Sequence, residues 1–239
     1  MYPQSYPHDE IVSLYPGVYF LHGSIKMGPG MRMNRNMVIL KSGQELTLIN
    51  PVRMSEEGLS SLDELGDVKH IMRLGDFHGL DDAFYLDRYQ CEFWAQAGQV
   101  TYPQPKATQL ITTNSVSPFP NSEFFIFESA KNPEAALFLK DNKLLITTDS
   151  VQYHADWSYF TWFTKIAFKL LGFKIGVNIG PPWLKGVTPK GVTPKGGSLK
   201  SDFEKLLALD FDAIVAAHGR LLESGAKEAL TAEVRRIYQ

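Results

Sequence analysis

The sequence is poor in cysteine, with Cys91 as the single example among 239 residues. An intrachain disulfide is therefore impossible, and an oxidising compartment is not indicated. Cys91 lies in an aromatic stretch, residues 89–94, where we expect a partly buried and unreactive thiol. A nucleophilic role would need an exposed thiol in an electropositive setting, which this context does not offer.

Long apolar runs and an excess of one charge are also absent. No stretch approaches the roughly 18 apolar residues that span a bilayer, and residues 1–10 lack the basic-then-apolar order of a secretory signal. The net charge of −2 gives no overall attraction to nucleic acid or anionic lipid. Neither the G-x-S-x-G of a serine hydrolase nor a glycine-rich phosphate loop occurs. We expect a cytoplasmic protein that binds no nucleic acid.

What the sequence does contain is a regular alternation of β-rich runs and amphipathic helical patterns. Strands are predicted at residues 18–22, 36–40, 45–49, 68–74, 123–128, 135–140, 143–148 and 213–217, and helices at 55–65, after 80, after 199 and at 226–238. The Gly- and Met-rich residues 24–33 are predicted to be an irregular loop. Two β-rich halves, each ending in a helix and a strand, predict an α/β fold with four layers: an αββα sandwich of two mixed β-sheets with outer helices.

Three side chains able to bind a metal ion follow the ends of predicted strands. His78 comes after residues 68–74, Asp149 after 143–148 and His218 after 213–217. Strand ends are rigid supports, which a metal site needs to keep its distances. Imidazole and carboxylate suit zinc, iron or manganese. His8, His22 and His70 are expected to be structural or solvated, while His154, five residues after Asp149, could replace a missing ligand or lie at the surface, which we favour.

These segments resemble the metallo-β-lactamase superfamily of metal-dependent hydrolases over almost the whole chain. Residues 143–149 are similar to the strand that ends in the family's bridging aspartate, Asp149. Residues 212–219 are similar to the late strand that ends in its last histidine ligand, His218, and residues 36–49 to its opening hairpin. The resemblance implies one domain over residues 1–239.

The family's H-x-H-x-D-H loop is altered in this sequence. Asp76, His78, Leu80 and Asp81 stand at the positions of its first histidine, second histidine, aspartate and last histidine. A shift of one residue would let Asp81 or Asp82 replace the missing acid. The family's middle histidine, expected before residue 135, is absent, and Asn50-Pro51-Val52 replaces its Asp-Thr-Gly turn.

What remains of the family's ligand set predicts at most a single metal ion, zinc in the first place. The ligands predicted for it are His78, Asp81, Asp149 and His218, with Asp82 as a catalytic general base. In the alternative interpretation no metal is bound: His218 and Asp149 hydrogen-bond loops, and the acids cap the helix that follows.

An insertion at about residues 157–200 interrupts the second half. Residues 157–172 predict a helix with a wide apolar face and a narrow lysine stripe, and two Lys-Gly-Val-Thr-Pro units follow at 185–194. The segment could cover the site as a lid, bind a second subunit or lie on a membrane. Because the family commonly places insertions over its metal cleft, we favour a lid together with a homodimer contact through helix 157–172; membrane contact is the least favoured.

Two functions therefore stand side by side. One is a metal-dependent hydrolase of a small ester-, thioester- or lactone-like substrate, which would be anionic if the role of the lysine-rich loop is to attract it. The other is a non-catalytic, metal-free member of the fold that binds a ligand or a protein.

Overall fold

The computed structural model describes residues 2–188 and 199–238. Within them, the first sheet consists of β1 (Val12–Tyr15), β2 (Val18–Gly28), β3 (Met31–Ser42), β4 (Glu45–Ile49), β5 (Asp67–Arg73), β6 (Glu92–Ala95) and β7 (Gln109–Leu110). Their spatial order follows the chain. Pairing is antiparallel from β1 to β4 and parallel from β4 to β7, so the sheet is mixed.

The later strands are β8 (Ser122–Ile126), β9 (Ala135–Leu139), β10 (Leu144–Thr147), β11 (Gln152–His154), β12 (Gly176–Asn178) and β13 (Ala213–Ala216). Four of them form the second sheet in the order β13-β10-β9-β8, in which β10 and β13 are parallel and the other pairs antiparallel. Strands β11 and β12 form a small antiparallel pair.

The helices of the described residues are α1 (Glu56–Leu65), α2 (Asp82–Tyr89), α3 (Trp162–Leu170), α4 (Pro181–Val187), α5 (Leu199–Leu207) and α6 (Ala226–Tyr238). Helix α1 begins where the sequence predicts it, because the Ser55 side chain accepts a hydrogen bond from the Gly58 N–H and caps the first turn. None of these helices is both long and apolar enough to cross a lipid bilayer.

Each sheet is apolar on both sides, so its inner face packs against the other sheet and its outer face packs against helices. Alternate residues of β9, Ala135, Leu137 and Leu139, point at the first sheet and pack with side chains of β2 to β5. The residues between them, Ala136 and Phe138, face α5 and α6 on the opposite side. Helices α1 and α2 pack against the outer face of the first sheet. The predicted αββα sandwich is thereby confirmed, with burial on both faces explaining why its central strands are continuous apolar runs.

Two local predictions are wrong. Residues 24–33 are not an irregular loop but the outer arms of a long hairpin, in which β2 and β3 pair from Val18↔Leu40 to Gly28↔Met31. The helix predicted at 157–172 is shorter, since only Trp162–Leu170 is helical and Thr161 precedes its first turn. Residues 185–187 complete helix α4, while most of the lysine-rich repeat lies outside the described residues.

Candidate metal centre

The parallel pairing of β10 and β13 places Asp149 beside His218. Thr147 is in register with Ala216, and each candidate ligand follows two residues later on its own strand. His78 arrives from the loop after β5, on the opposing sheet. Two turns held by adjacent strands and one loop from the facing sheet therefore bring these three side chains to one edge of the sandwich.

The three side chains form a tight polar group. A ligand atom from each of His78, Asp149 and His218 lies within 4.8 Å of the others. Nε2 of His78 is 3.1 Å from Oδ2 of Asp149, and Nε2 of His218 is 3.4 Å from Oδ1. Burial lowers the pKa of His78, with the Asp149 charge opposing it. Burial also opposes ionisation of Asp149, but the two imidazoles outweigh it and hold the pKa of that carboxyl well below its usual range.

The hydrogen bonding of His218 tests whether a metal ion fits. Its Nδ1 lies 2.8 Å from the carbonyl oxygen of Asn34, which can only accept, so Nδ1 carries the proton. With Nδ1 protonated, Nε2 faces the anionic Asp149 and can hold either a second proton, as in the ion pair that lowers the pKa of Asp149, or a metal ion. Two electron-pair donors facing one another are stable with a cation between them. Nδ1–H donation to a carbonyl is also how metal-binding histidines are oriented, so these residues fit a divalent ion.

The turn after β13 is fixed by asparagines of β3. The Asn36 side chain donates to the carbonyl oxygens of Ala216 (2.9 Å) and Gly219 (3.0 Å), and Asn34 donates to Gly219 at 3.3 Å. Gly219 has φ +87°, and a Cβ there would overlap the carbonyl of Tyr153. The His-Gly pair therefore has a structural reason: glycine lets the chain turn away directly after the candidate ligand.

Asp149 is supported by residues that sequence reasoning missed. Gln152 donates to Oδ1 of Asp149 at 3.2 Å and is itself 3.1 Å from Nε2 of His154. Glu134 accepts the backbone N–H groups of Asp149 and Ser150. Burial and the Asp149 charge raise the pKa of Glu134 to about 8. Nothing in the sequence marks Glu134 or Gln152, because their role depends on a turn that only the fold creates.

The surface position predicted for His154 is wrong. The side chain is fully buried, and its ring stacks on Trp157 with the centroids 5.1 Å apart. Burial lowers its pKa to about 4, so the ring is neutral at physiological pH. His154 thus belongs to the layer behind Asp149.

The acids near His78 point elsewhere. The Asp76 carboxylate accepts hydrogen bonds from the backbone N–H groups of Val100 and Thr101 and from the Asn132 side chain. Asp76 thus anchors the loop that contains Val100 and Thr101. Asp81, predicted as a ligand, forms a buried ion pair with Arg35 at 2.7 Å and is not part of the three-residue group.

Asp82, predicted as the general base, also lies away from this group. It is completely buried 3.2 Å from Arg73 and does not line the cleft described below. Burial raises its pKa to about 7, with Arg73 opposing the shift. These placements give no support to a ligand role for Asp81 or a base role for Asp82, because Arg35 of β3 and Arg73 at the end of β5 hold the two carboxylates.

A cleft of about 440 Å³ opens over the three side chains. His78, Asp149, Gln152 and His218 lie in its wall, and most of the remaining lining is apolar. The apolar part includes Met27, Met33, Phe77, Phe168, Phe173 and Trp183. Phe168, Phe173 and Trp183 come from the insertion, so this segment contributes one side of the cleft. A polar group in an apolar cleft is the usual form of a small-molecule site.

Comparisons with known proteins agree with this architecture. No family model matches the sequence, and the search of curated proteins finds no match. Solved metallo-β-lactamases are similar in structure. The enzyme FIM-1 from Pseudomonas aeruginosa in its mono-zinc form superimposes with a TM-score of 0.68 at 11% identity, covering 98% of this chain and 97% of that one.

Two further solved structures give the same result. DIM-1, exposed to ceftazidime, has a TM-score of 0.68 at 8% identity over 98% of this chain and 99% of its own. A metallo-β-lactamase from Hirschia baltica has 0.66 at 12% identity over 96% and 98%. The chain therefore has the metallo-β-lactamase superfamily fold.

Proposed function

We propose that this protein binds one divalent metal ion through His78, Asp149 and His218 and hydrolyses a small, largely apolar ester, thioester or lactone. The observation that carries the proposal is the geometry of His218, whose Nδ1 is committed to Asn34 while Nε2 faces the Asp149 carboxylate. Three protein ligands leave a coordination position open, as in catalytic zinc sites. The mono-zinc form of FIM-1, a protein of the same fold, supports a single ion, and zinc is our first choice.

A divalent ion held here would supply a Lewis acid and lower the pKa of water towards about 7. The residues of this chain have other tasks. Asp149 stays ionised as the anionic ligand, and Gln152 orients it through Oδ1. The apolar side chains of the cleft exclude bulk water, which strengthens electrostatic interactions inside it.

The cleft favours an uncharged acyl group over an anionic substrate. Among the described residues that line it, Arg35 is the single lysine or arginine, and its charge is already paired with Asp81. Phe168, Phe173 and Trp183 instead offer aromatic surface. A substrate with an apolar arm beside a carbonyl would bury that arm while the carbonyl reaches the three polar side chains.

Elemental analysis of protein purified without chelator or affinity metal is the first test. We expect close to one zinc, iron or manganese per chain, and loss of that metal in His218→Ala and Asp149→Ala. His70→Ala changes a histidine outside the group and should keep the metal. Chelator should lower the melting temperature, because a ligand bound to the native state stabilises it.

A screen with apolar esters, thioesters and lactones follows, and activity should disappear with the metal. A protein that takes up no metal after incubation with each ion would contradict the proposal. That outcome would favour the second candidate, a metal-free binding protein. Its support is that the two imidazoles and Asp149 can also satisfy one another as hydrogen-bonded ion pairs.

A further inference from the structure

Residues 157–201 carry charge of one sign only. The segment contains no aspartate, glutamate or arginine, although the whole chain has 26 acids. Its seven lysines are Lys165, Lys169, Lys174, Lys185, Lys190, Lys195 and Lys200. A chain of net charge −2 thus concentrates positive charge in its one aromatic-rich insertion. Such asymmetry is typical of a segment that meets an anionic surface.

Helix α3 displays the apolar part of this segment to solvent. Trp162 is 66% exposed, Phe163 62% and Leu170 84%. Leu171 and Ile175, in the segment that follows the helix, are each 53% exposed. Contiguous exposed apolar side chains of this size mark a contact surface.

The fold does not depend on these exposed side chains. Thr164 and Phe168 hold the helix in place from its other face, Thr164 by accepting the Arg32 N–H at 3.1 Å and Phe168 by packing with Met33 and Phe173. The outward residues are therefore available for an interaction.

Lysines lie among the exposed apolar residues. Lys165 and Lys169 are exposed on α3 itself and form no ion pair with any described residue. The adjoining hairpin tip adds Lys26 and Met27, both exposed, and is fastened to the start of the helix where Thr161 Oγ1 donates to the Gly30 carbonyl. The result is a surface of large apolar side chains with cationic neighbours.

We propose that this surface, formed by α3, residues 171–175 and the tip of the β2–β3 hairpin, docks the protein on an anionic lipid bilayer. Trp, Phe and Leu side chains insert at the headgroup boundary, and lysines beside them bind anionic headgroups. A second copy of this chain is disfavoured, because a symmetric contact through α3 would bring Lys165 and Lys169 of both copies together without an acid to pair them. The proposal is independent of metal binding.

Co-sedimentation with vesicles tests it directly. Vesicles of phosphatidylcholine with added phosphatidylglycerol should bind the protein, those of phosphatidylcholine alone should bind it much less, and high salt should weaken binding. Replacing Lys165 and Lys169 together by glutamine should reduce partitioning about 25-fold, since each lysine near such a surface contributes about a fivefold factor. Lys106→Gln, an exposed lysine outside the segment, is the control.

The insertion of apolar side chains into the bilayer can also be tested against matched control variants. Leu170→Ser and Trp162→Ser should each weaken vesicle binding, whereas Val116→Ser and Val100→Ser, which change side chains 85% and 69% exposed, should not. The tryptophan emission maximum should shift to shorter wavelength with anionic vesicles, and Trp162→Ser should remove that shift. Circular dichroism and melting curves verify that every variant is folded.

Three results would overturn the proposal: no vesicle binding, equal binding to both vesicle types, or native binding by the α3 variants. Dimerisation in light scattering that Leu170→Ser abolishes, without vesicle binding, would assign this face to a second copy instead.

Discussion

The backbone N–H of Asp149 donates a hydrogen bond of 3.2 Å to Oε1 of Glu134. The same oxygen accepts the N–H of Ser150 at 2.8 Å and the hydroxyl of Thr148. Burial and the Asp149 charge raise the pKa of Glu134, which favours a neutral carboxyl as the acceptor of these hydrogen bonds. The turn that presents Asp149 is therefore fixed by a residue of the neighbouring strand end.

Glu134→Gln should preserve this turn and Glu134→Ala should not. Glutamine keeps a neutral carbonyl acceptor of the same length, so the free energy of unfolding should change by less than about 1 kcal/mol. Alanine leaves buried donors unpaired and should cost about 3 kcal/mol. Urea denaturation monitored by fluorescence measures both. Equal losses in the two variants would show that a neutral carbonyl acceptor of this length cannot replace the Glu134 carboxyl.

Gly75 should tolerate no side chain. A Cβ there would overlap the Glu134 carboxyl and lie 2.6 Å from Thr148 Oγ1, at the turn that presents Asp149. Gly75→Ala should therefore destabilise the protein by about 2 kcal/mol, and metal affinity should fall with it. Gly28→Ala is the matched control, because nothing lies within 4 Å of its Cβ position. Thermal unfolding of both variants measures the difference. An unchanged melting temperature of Gly75→Ala would refute the close packing of this turn.

Much of the fold can be predicted because its pattern is local. Residues 135–140 and 143–148 are apolar runs separated by an Asp-Asn turn, and the structure makes them a hairpin. The hairpin arms at 24–33 could not be predicted in this way. Their glycines and proline are depleted in strands, and cross-strand pairing over the full length of β2 and β3 keeps the arms extended.

The residues of the candidate site also differ in how far the sequence predicts their positions. Asp149 and His218 could be proposed from the sequence because each directly follows an apolar strand, and the register of β10 and β13 places them side by side. The orientation of Asp81 and Asp82 was not, since Arg35 and Arg73, which bind them, come from strands β3 and β5. Proximity to His78 in sequence says nothing about where a carboxylate points.

Asp81→Asn separates a ligand role from an ion-pair role. The structure assigns Asp81 to Arg35, so the variant should leave an uncompensated buried guanidinium and lose about 3 kcal/mol of stability. The metal content of the folded variant should stay near that of the native protein. Isothermal titration with zinc and urea denaturation measure the two effects. Loss of metal without loss of stability would restore Asp81 to the ligand set.

Cys91 should be slow to react in the native protein. Burial raises the pKa of its thiol to about 11, so only about one molecule in a thousand carries a thiolate at pH 8. A chromogenic disulfide reagent should therefore report little reaction before denaturant is added and one thiol per chain afterwards. Cys91→Ser provides the blank. Complete reaction of the native protein within the mixing time would contradict this environment.

Asp82 should make stability depend on pH. Burial raises the pKa of this carboxyl to about 7 from an ordinary 3.8, with Arg73 opposing the shift. A folded-state pKa above the unfolded one means that the folded protein holds a proton that the unfolded chain has released. The contribution of Asp82 is then complete below pH 3.8 and is lost as the pH rises towards 7.

Asp82→Asn removes this proton and isolates its effect. The native protein should lose stability relative to the variant between about pH 4 and pH 7, by at most about 4 kcal/mol. Urea denaturation of both proteins across this range measures the difference. Asp67→Asn, which changes a carboxylate whose side chain is 71% exposed, should follow the native profile. Parallel profiles for Asp82→Asn and the native protein would mean that Asp82 is ionised throughout, held by Arg73 as a buried ion pair.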